Sequence, residues 1–322
     1  MSNLKTAVIG VGYLGRFHAE KYSKLENSEL VAVVDPNTAR AEEIAKEFST
    51  KAYSDYKDLL GKVDCVSIVT PTESHATIGM DFIKSGTHVL IEKPITKTAK
   101  EAEDLIAEAE KQNVILQVGH LERFNPAVVA LKDKVKNPVF IESHRLSPFP
   151  NRATDVDVVL DLMIHDIDII LNLVADEVES VDATGIPVIS GKVDIANARI
   201  KFKNGCVANV TASRISKETL RRIRLFQPDA YISIDYAEQK INLSSIDRGK
   251  EGLPQIKEEE ITIERKDMLF EEIKSFLECI ENGSSPIVSG HDGKRALDVA
   301  ARIQVSVEKS LQQIFKNIKS GS

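Results

Sequence analysis

Between Leu4 and Gly119 short apolar runs alternate with longer charged stretches. The runs TAVIG, LVAVVD, CVSIVT, HVLIE and VILQVG are bounded by turn residues and are too short for buried helices. Between them, TARAEEIAKEF and AKEAEDLIAEAEKQ have the amphipathic spacing of helices with one apolar face. Strand alternating with helix predicts a parallel sheet wound by crossover helices. After about Leu121 the period shortens to two. In ANARIKF, Ala196, Ala198, Ile200 and Phe202 share one face; in CVANVTA, Cys206, Ala208, Val210 and Ala212 do the same. Asn204-Gly205 between these runs is a hairpin signal. RRIRLF, YISIDY, KINLS and EITIE continue in this style, and predict an antiparallel sheet of roughly six to eight strands. DRGKEGLPQIKEEE reads as an exposed loop, and two helices, from about Leu269 and about Asp292, close the chain. The fold class is α/β. A dinucleotide-binding, Rossmann-type domain is expected over 1–121, and an α/β domain with a large, open, mainly antiparallel sheet over 122–322.

A length of 322 residues fits two such domains, and 42% hydrophobic content leaves each a core. The net charge of −7, with no long basic stripe, argues against nucleic acid as a partner. Cys65, Cys206 and Cys279 are far apart and follow no metal spacing, so three reduced thiols in a cytoplasmic protein, and no metal, are expected. MSNLKTAVIGVGYLG has no cleavage-type site, and no apolar run approaches the ~20 residues that span a bilayer.

Gly10, Gly12 and Gly15 have the spacing G-x-G-x-x-G directly after the first strand. Gly10 permits the tight turn, Gly12 lets backbone approach a pyrophosphate, and Gly15 lets helix pack on strand. Tyr13 and Leu14 belong to the same turn. Asp35 ends the second strand, where a carboxylate accepts from both ribose hydroxyls and repels a 2′-phosphate; NAD is therefore expected over NADP. The alternatives are that Asp35 only opens the DPN turn, and that Arg40 meets a 2′-phosphate. Thr70, Pro71 and His75 in TPTESH, and Glu92, Lys93 and Pro94 in EKP, fall at strand C-terminal ends, where open α/β sheets bind ligands. Preceding a proline, Lys93 is held in extended geometry and projects from the strand end. On spacing alone, a plain surface lysine fits equally well.

Taken together, GVGYLGRFHA, VVDPN, TPTESH, EKP, GHLERFNP and DLMIHDID resemble the Gfo/Idh/MocA family of oxidoreductases over essentially the whole chain. The resemblance implies hydride exchange between a nicotinamide and a carbohydrate-like alcohol. It puts Lys93 beside both nicotinamide and substrate, often before a cis proline. It also implies that GHLERFNP, with Glu122, Arg123 and Asn125, lines the nicotinamide site, although the family often has Asn or Tyr where this chain has His120. VGHLERFNPA, DVVLDLMIHDIDIIL and RRIRLFQPDAYISIDY are further similar to dehydrogenases of UDP-N-acetyl amino sugars. That likeness implies oxidation of the sugar 3-hydroxyl to a ketone, feeding 3-amino sugar and lipid A type synthesis.

If 158–171 is one helix, Asp161, His165 and Asp168 form a polar seam on an otherwise apolar surface, with Asp166 pointing away as a structural residue. An imidazole titrates near neutrality, so His165 suits the role of base, with Asp161 orienting substrate or imidazole. The alternative is a core histidine satisfied by Asp161 or Asp168. Lys93 competes for the role of base. Arg123, Arg145, Arg152, Arg214, Arg221, Arg222 and Arg224 are candidates for a substrate diphosphate, Arg152 first among them; the alternative for each is a solvated strand face or an ion pair, and at least half are expected to be that. The open sheet face is expected to be buried in a homodimer or homotetramer. The rival functions are a free sugar, inositol or UDP-uronic acid dehydrogenase, and a non-catalytic dinucleotide-binding regulator.

Overall fold

The computed structural model describes residues 3–132, 134–149, 156–247, 255–261 and 263–320. Its first unit comprises Met1–Phe124 and Asp267–Lys294; its second comprises Asn125–Lys266 and Arg295–Ser322.

In the first unit, β1 (Leu4–Ile9), β2 (Ser28–Val34), β3 (Lys51–Tyr53), β4 (Cys65–Ile68), β5 (His88–Glu92) and β6 (Leu116–Gly119) form one sheet in the order β3-β2-β1-β4-β5-β6. Every pairing in it is parallel. The crossovers contain α1 (Tyr13–Lys24), α2 (Thr38–Glu47), α3 (Thr72–Lys84) and α4 (Ala99–Gln112). The order reverses at β1, the topological switch point of an open α/β sheet. β3 is too short for the apolar-run pattern to reveal it.

The second unit begins with α5 (Pro126–Val129) and β7 (Phe140–Leu146). A π-helical segment, Val159–Met163, leads into α6 (Ile164–Val174). Then follow β8 (Val178–Ile186), β9 (Ile195–Phe202), β10 (Val207–Ser213), β11 (Leu220–Gln227), β12 (Ala230–Asp235), β13 (Lys240–Asp247) and β14 (Gln255–Ile261). The eight strands run β14-β13-β12-β11-β7-β10-β9-β8. All neighbours are antiparallel except the parallel pair β7 and β10. Ala196, Ala198, Ile200 and Phe202 of β9, with Ala208, Val210 and Ala212 of β10, form the buried face. Ile164, Ile167 and Ile170 of α6 belong to the same core.

Three expectations are corrected. The C-terminal part of the chain does not belong wholly with the second unit. α7 (Met268–Asn282) buries Leu269, Ile273, Phe276 and Leu277 in the core of the first unit, with Val8, Tyr22 and Leu90. α8 (Gly290–Ser320) begins in the first unit and supplies Ala296, Val299, Ala300 and Ile303 to the core of the second. The stretch QIKEEE is not a loop: it forms most of β14, a charged and exposed edge strand. Charges are tolerated there because one side of an edge strand is unpaired and open to water. The helix over 158–171 is also not uniform. Ile164 N–H reaches Val159 O, an i→i+5 bond that takes one extra residue into the turn.

Candidate active site

The first unit builds a nucleotide cleft at its switch point. Gly10 has φ +86°, and a Cβ there would lie 2.6 Å from Val69 O. A Cβ on Gly15 would lie 1.9 Å from Gly10 O, so both positions demand glycine. Gly12 is the N-cap of α1, and nothing lies within 4 Å of where its Cβ would be. The turn therefore leaves an open approach to the N–H groups that begin α1, where the helix dipole favours an anion. Tyr13 and Leu14 are exposed beside it. Asp35 directly follows β2 with its carboxylate braced: Oδ2 accepts from Val11 N at 3.0 Å and Oδ1 from Asn37 N at 2.9 Å. Gly10, Gly12, Asp35, Ser54, Thr70 and Pro71 line a cleft of about 560 Å³. An anion-ready helix end, a fixed carboxylate and an apolar cleft suit an adenine dinucleotide.

Arg40, the residue weighed for a 2′-phosphate, donates to Val11 O at 2.8 Å and pairs with Glu43 at 2.8 Å. Its guanidinium is thus engaged by the turn, while Asp35 remains on the cleft wall. Asp35→Ala should weaken NADH binding by about 10- to 100-fold, the worth of hydrogen bonds to a charged group, and narrow the preference over NADPH. Fluorescence titration with both nucleotides checks this; undiminished discrimination would show that Asp35 only shapes the turn.

His75 is buried, with its ring nitrogens 2.8 Å from Thr70 O and 2.9 Å from Pro94 O. It fastens the loop after β4 to the loop after β5 and acts on the cleft through them. Lys93 follows β5, and the Lys93–Pro94 peptide is cis. The adjacent Glu92 carboxylate meets His18 Nε2 at 3.1 Å and accepts from Lys93 N–H at 3.2 Å. Burial pushes the Glu92 carboxyl up, but the His18 bond and the charges of His18 and Lys93 outweigh it, holding the group below its ordinary value. His18 stood within GRFHA without an assigned role; a histidine one turn into a dinucleotide helix gave no hint of its partner on β5. Arg123 lies on the short turn Leu121–Phe124, buried, 3.5 Å from Asp292 at the start of α8.

In the second unit, Asp157 accepts from the N–H groups of Val159 and Leu160 and starts the π segment. Neighbours in a π turn are four and five residues apart, the spacings that separate Asp161 from His165 and from Asp166. Asp161 and His165 are half-buried and Asp168 is buried. Asp166 turns to the sheet, accepting from Ser143 at 2.9 Å and from Arg145 Nε at 2.7 Å. Arg145 is therefore part of a buried ion pair and not a diphosphate ligand. Arg214 is likewise fully buried against Asp194 at 2.9 Å. Both fall among the arginines that serve as paired charges; their acidic partners lie far along the chain, where an arginine beside a strand gives no sign of them. Arg222 and Arg224 share a sheet face and lie 3.8 Å and 2.8 Å from Asp235 and Glu142. Arg221 is exposed and alternates onto the face of Ile223 and Leu225. Arg152 lies outside the described residues.

A parallel sheet with a glycine turn, a braced carboxylate and a lysine at a strand end defines a dinucleotide-dependent oxidoreductase. Residues 4–120 match the family model described as oxidoreductase family, NAD-binding Rossmann fold, and residues 137–232 match the Gfo/Idh/MocA C-terminal domain. The chain belongs to the Gfo/Idh/MocA family of NAD-binding oxidoreductases. It is 39% identical to UDP-N-acetylglucosamine 3-dehydrogenase of Acidithiobacillus ferrooxidans, over 97% of this chain and 100% of that one. A solved structure of that enzyme superposes with a TM-score of 0.90 at 39% identity, covering 96% of this chain and 99% of the other. A myo-inositol 2-dehydrogenase of Thermotoga maritima is 28% identical, over 95% of this chain and 97% of its own length. Among the described residues no helix is long and apolar enough to cross a membrane.

Proposed function

We propose that the chain oxidises the 3-hydroxyl of a UDP-N-acetyl amino sugar, UDP-N-acetylglucosamine, to the 3-keto sugar, with NAD as cofactor. The product would feed 3-amino sugar and lipid A type synthesis. The observation that carries this reading is the 39% identity, over nearly the full length of both chains, to an enzyme named for that reaction. The more distant inositol dehydrogenase supports the family chemistry but a different alcohol.

The cofactor, when bound, supplies the hydride acceptor. The N–H groups opening α1 would hold its pyrophosphate beside Gly12, and Asp35 would accept from the adenosine ribose hydroxyls. Thr70, Pro71 and His75 keep the cleft wall in place, and Glu92 and Arg123 support the nicotinamide end. The sugar hydroxyl must lose a proton while its oxygen gains negative charge. Lys93 either donates to that oxygen as an ammonium or takes the proton as an amine; His165 is the other candidate base, with Asp161 orienting imidazole or sugar. Arg152 is assigned to the diphosphate. The reading includes a cytoplasmic enzyme, in keeping with the three free, buried cysteines. It also includes a homodimer or homotetramer formed through the outer face of the eight-stranded sheet, which presents Asn197, Arg199 and Lys201 on β9.

Purified protein with NAD should form NADH on UDP-N-acetylglucosamine and be far slower on free N-acetylglucosamine and on inositol. Turnover of inositol with an inert nucleotide sugar would overturn the substrate. NADH binding with no turnover of any alcohol would favour a regulator.

A further inference from the structure

Two side chains of α1 reach polar groups of the sheet. His18 and, one turn on, Tyr22 are both fully buried. The Tyr22 hydroxyl lies 2.8 Å from Ser67 Oγ of β4, and His18 Nε2 lies 3.1 Å from Oε1 of Glu92 at the end of β5. Strand register sets Ser67 beside Leu90, and Glu92, two residues on, shares that face of the sheet. The helix that opens at the glycine turn is therefore seated on β5 by a polar bond as well as by apolar packing.

The second Glu92 oxygen accepts from Lys93 N–H at 3.2 Å. The carboxyl has little room to turn elsewhere. It lies against Gly119 of β6, where a Cβ would come within 2.9 Å of Glu92 Cδ and 3.0 Å of each oxygen. Beyond Lys93, Pro94 O lies 2.9 Å from His75 Nδ1. The main chain at Lys93 is thus tied at its N–H, through Glu92, to His18, and at the next residue's carbonyl to His75.

We propose that His18 is a positioning residue for Lys93. By holding the Glu92 carboxylate it fixes the Lys93 N–H, and with it the main-chain point from which that side chain starts, in register with the helix that opens on the cofactor cleft. This rests on the reading of Lys93 as the group beside the reacting hydroxyl.

An ionised carboxylate only accepts, so His18 Nε2 carries the proton of the shared bond. Nδ1 is buried with no hydrogen-bond partner among the described residues. Burying a polar nitrogen without a bond costs stability, so a ring that only filled the space under α1 would be better replaced by leucine. The bond to Glu92 is what the imidazole offers there that an apolar side chain does not. Burial opposes the Glu92 charge, and the His18 bond leads the influences that offset it. Without His18 the carboxylate turns to another donor or takes a proton. Either change loosens its hold on Lys93 N–H, and a shift of ~1 Å at a reacting group can cost about a hundredfold in rate.

Three variants at position 18 test this in the full-length protein. H18Q places an amide N–H near the position of Nε2, H18N stops one bond short of it, and H18L fills the space without a donor. Amide hydrogen exchange read by NMR should show Lys93 N–H exchanging about tenfold faster in H18L, with Leu90 and Ile91 unchanged, and close to the wild-type rate in H18Q. On whichever alcohol the wild type oxidises, kcat should fall by about 10- to 100-fold in H18L and H18N and recover in large part in H18Q. The NADH dissociation constant should stay within about threefold in all three, since the pyrophosphate and ribose contacts are elsewhere. G119A displaces the carboxyl from a different strand and should reproduce the H18L pattern, which decides the outcome should H18L not fold. An H18L with wild-type Lys93 exchange or wild-type kcat overturns the proposal. So do H18Q and H18L impaired alike, which would make the ring a matter of shape. The exchange measurement uses no sugar, so failure of the substrate assignment and failure of this anchor are separate results.

Discussion

Replacing Lys93 with alanine should lower turnover of the nucleotide sugar by about a hundred- to ten-thousandfold, the usual worth of a positioned acid–base group. NADH binding should change far less, because the pyrophosphate and ribose contacts are assigned to the Gly10–Gly15 turn and Asp35. Lys93 leaves the C-terminal end of β5 with its backbone bound to Glu92, so the anchor of the side chain survives the substitution. Lys93→Arg separates the two roles left open. A guanidinium keeps the positive charge but does not give up a proton near neutrality. Partial recovery of kcat in the arginine variant assigns Lys93 to charge stabilisation and leaves proton removal to His165. No recovery, with a shifted pH–rate profile, makes Lys93 the base. A full rate in Lys93→Ala would remove it from the chemistry.

The largest effect on stability should come from Asp194, far from any assigned site. Arg214 is among the largest fully buried side chains, and its Nε donates to Asp194 Oδ1 at 2.9 Å. The other oxygen, Oδ2, accepts from the N–H groups of Val188, Ile189 and Ser190 at 2.8, 2.7 and 2.9 Å. Asp194→Ala strands a buried guanidinium and three backbone donors, and removing one partner of such a pair costs about 3–5 kcal/mol. For a domain of this size the melting temperature should fall by roughly 6 to 20 °C. Differential scanning calorimetry checks the value, and a change within about 0.5 kcal/mol, typical of surface substitutions, would show that the pair is dispensable. Its pH dependence has a definite sign. Burial opposes the charge, but the Ser190 hydroxyl and the three N–H groups outweigh it, and the folded carboxyl sits well below its ordinary 3.8. The contribution is therefore present above that value and is lost as pH falls toward the depressed folded value. Above it, wild type and variant should differ by a constant amount; in acid the gap should close.

The parts that sequence could supply are those whose physics is local. Gly10, Gly12 and Gly15 sit within one turn and one helix start, so their spacing states the backbone demand that the close approaches to Val69 O and Gly10 O then explain. The period-2 faces of β9 and β10 and the Asn204-Gly205 turn are likewise local: Gly205 has φ +90°, and Val207 pairs with Lys201 across the hairpin. Other features needed partners distant in sequence. Leu269, Ile273 and Phe276 announce an apolar helix face, but nothing in their spacing says which sheet it covers, and α7 belongs to the core of the first unit. The return of that helix is what buries Glu272 and sets its backbone carbonyl against Gln117 of β6. Arg145 and Arg214 read as cationic donors until Asp166 and Asp194 face them. Asp161 and His165 kept their four-residue spacing, but the π turn beneath them came from one extra residue that no periodicity marks. The sequence alone determined most of the elements, the glycine turn and the family, because backbone propensity and side-chain period act over a few residues. Only the tertiary structure decided which charges are buried and which are paired, because that depends on chain segments brought together across the fold.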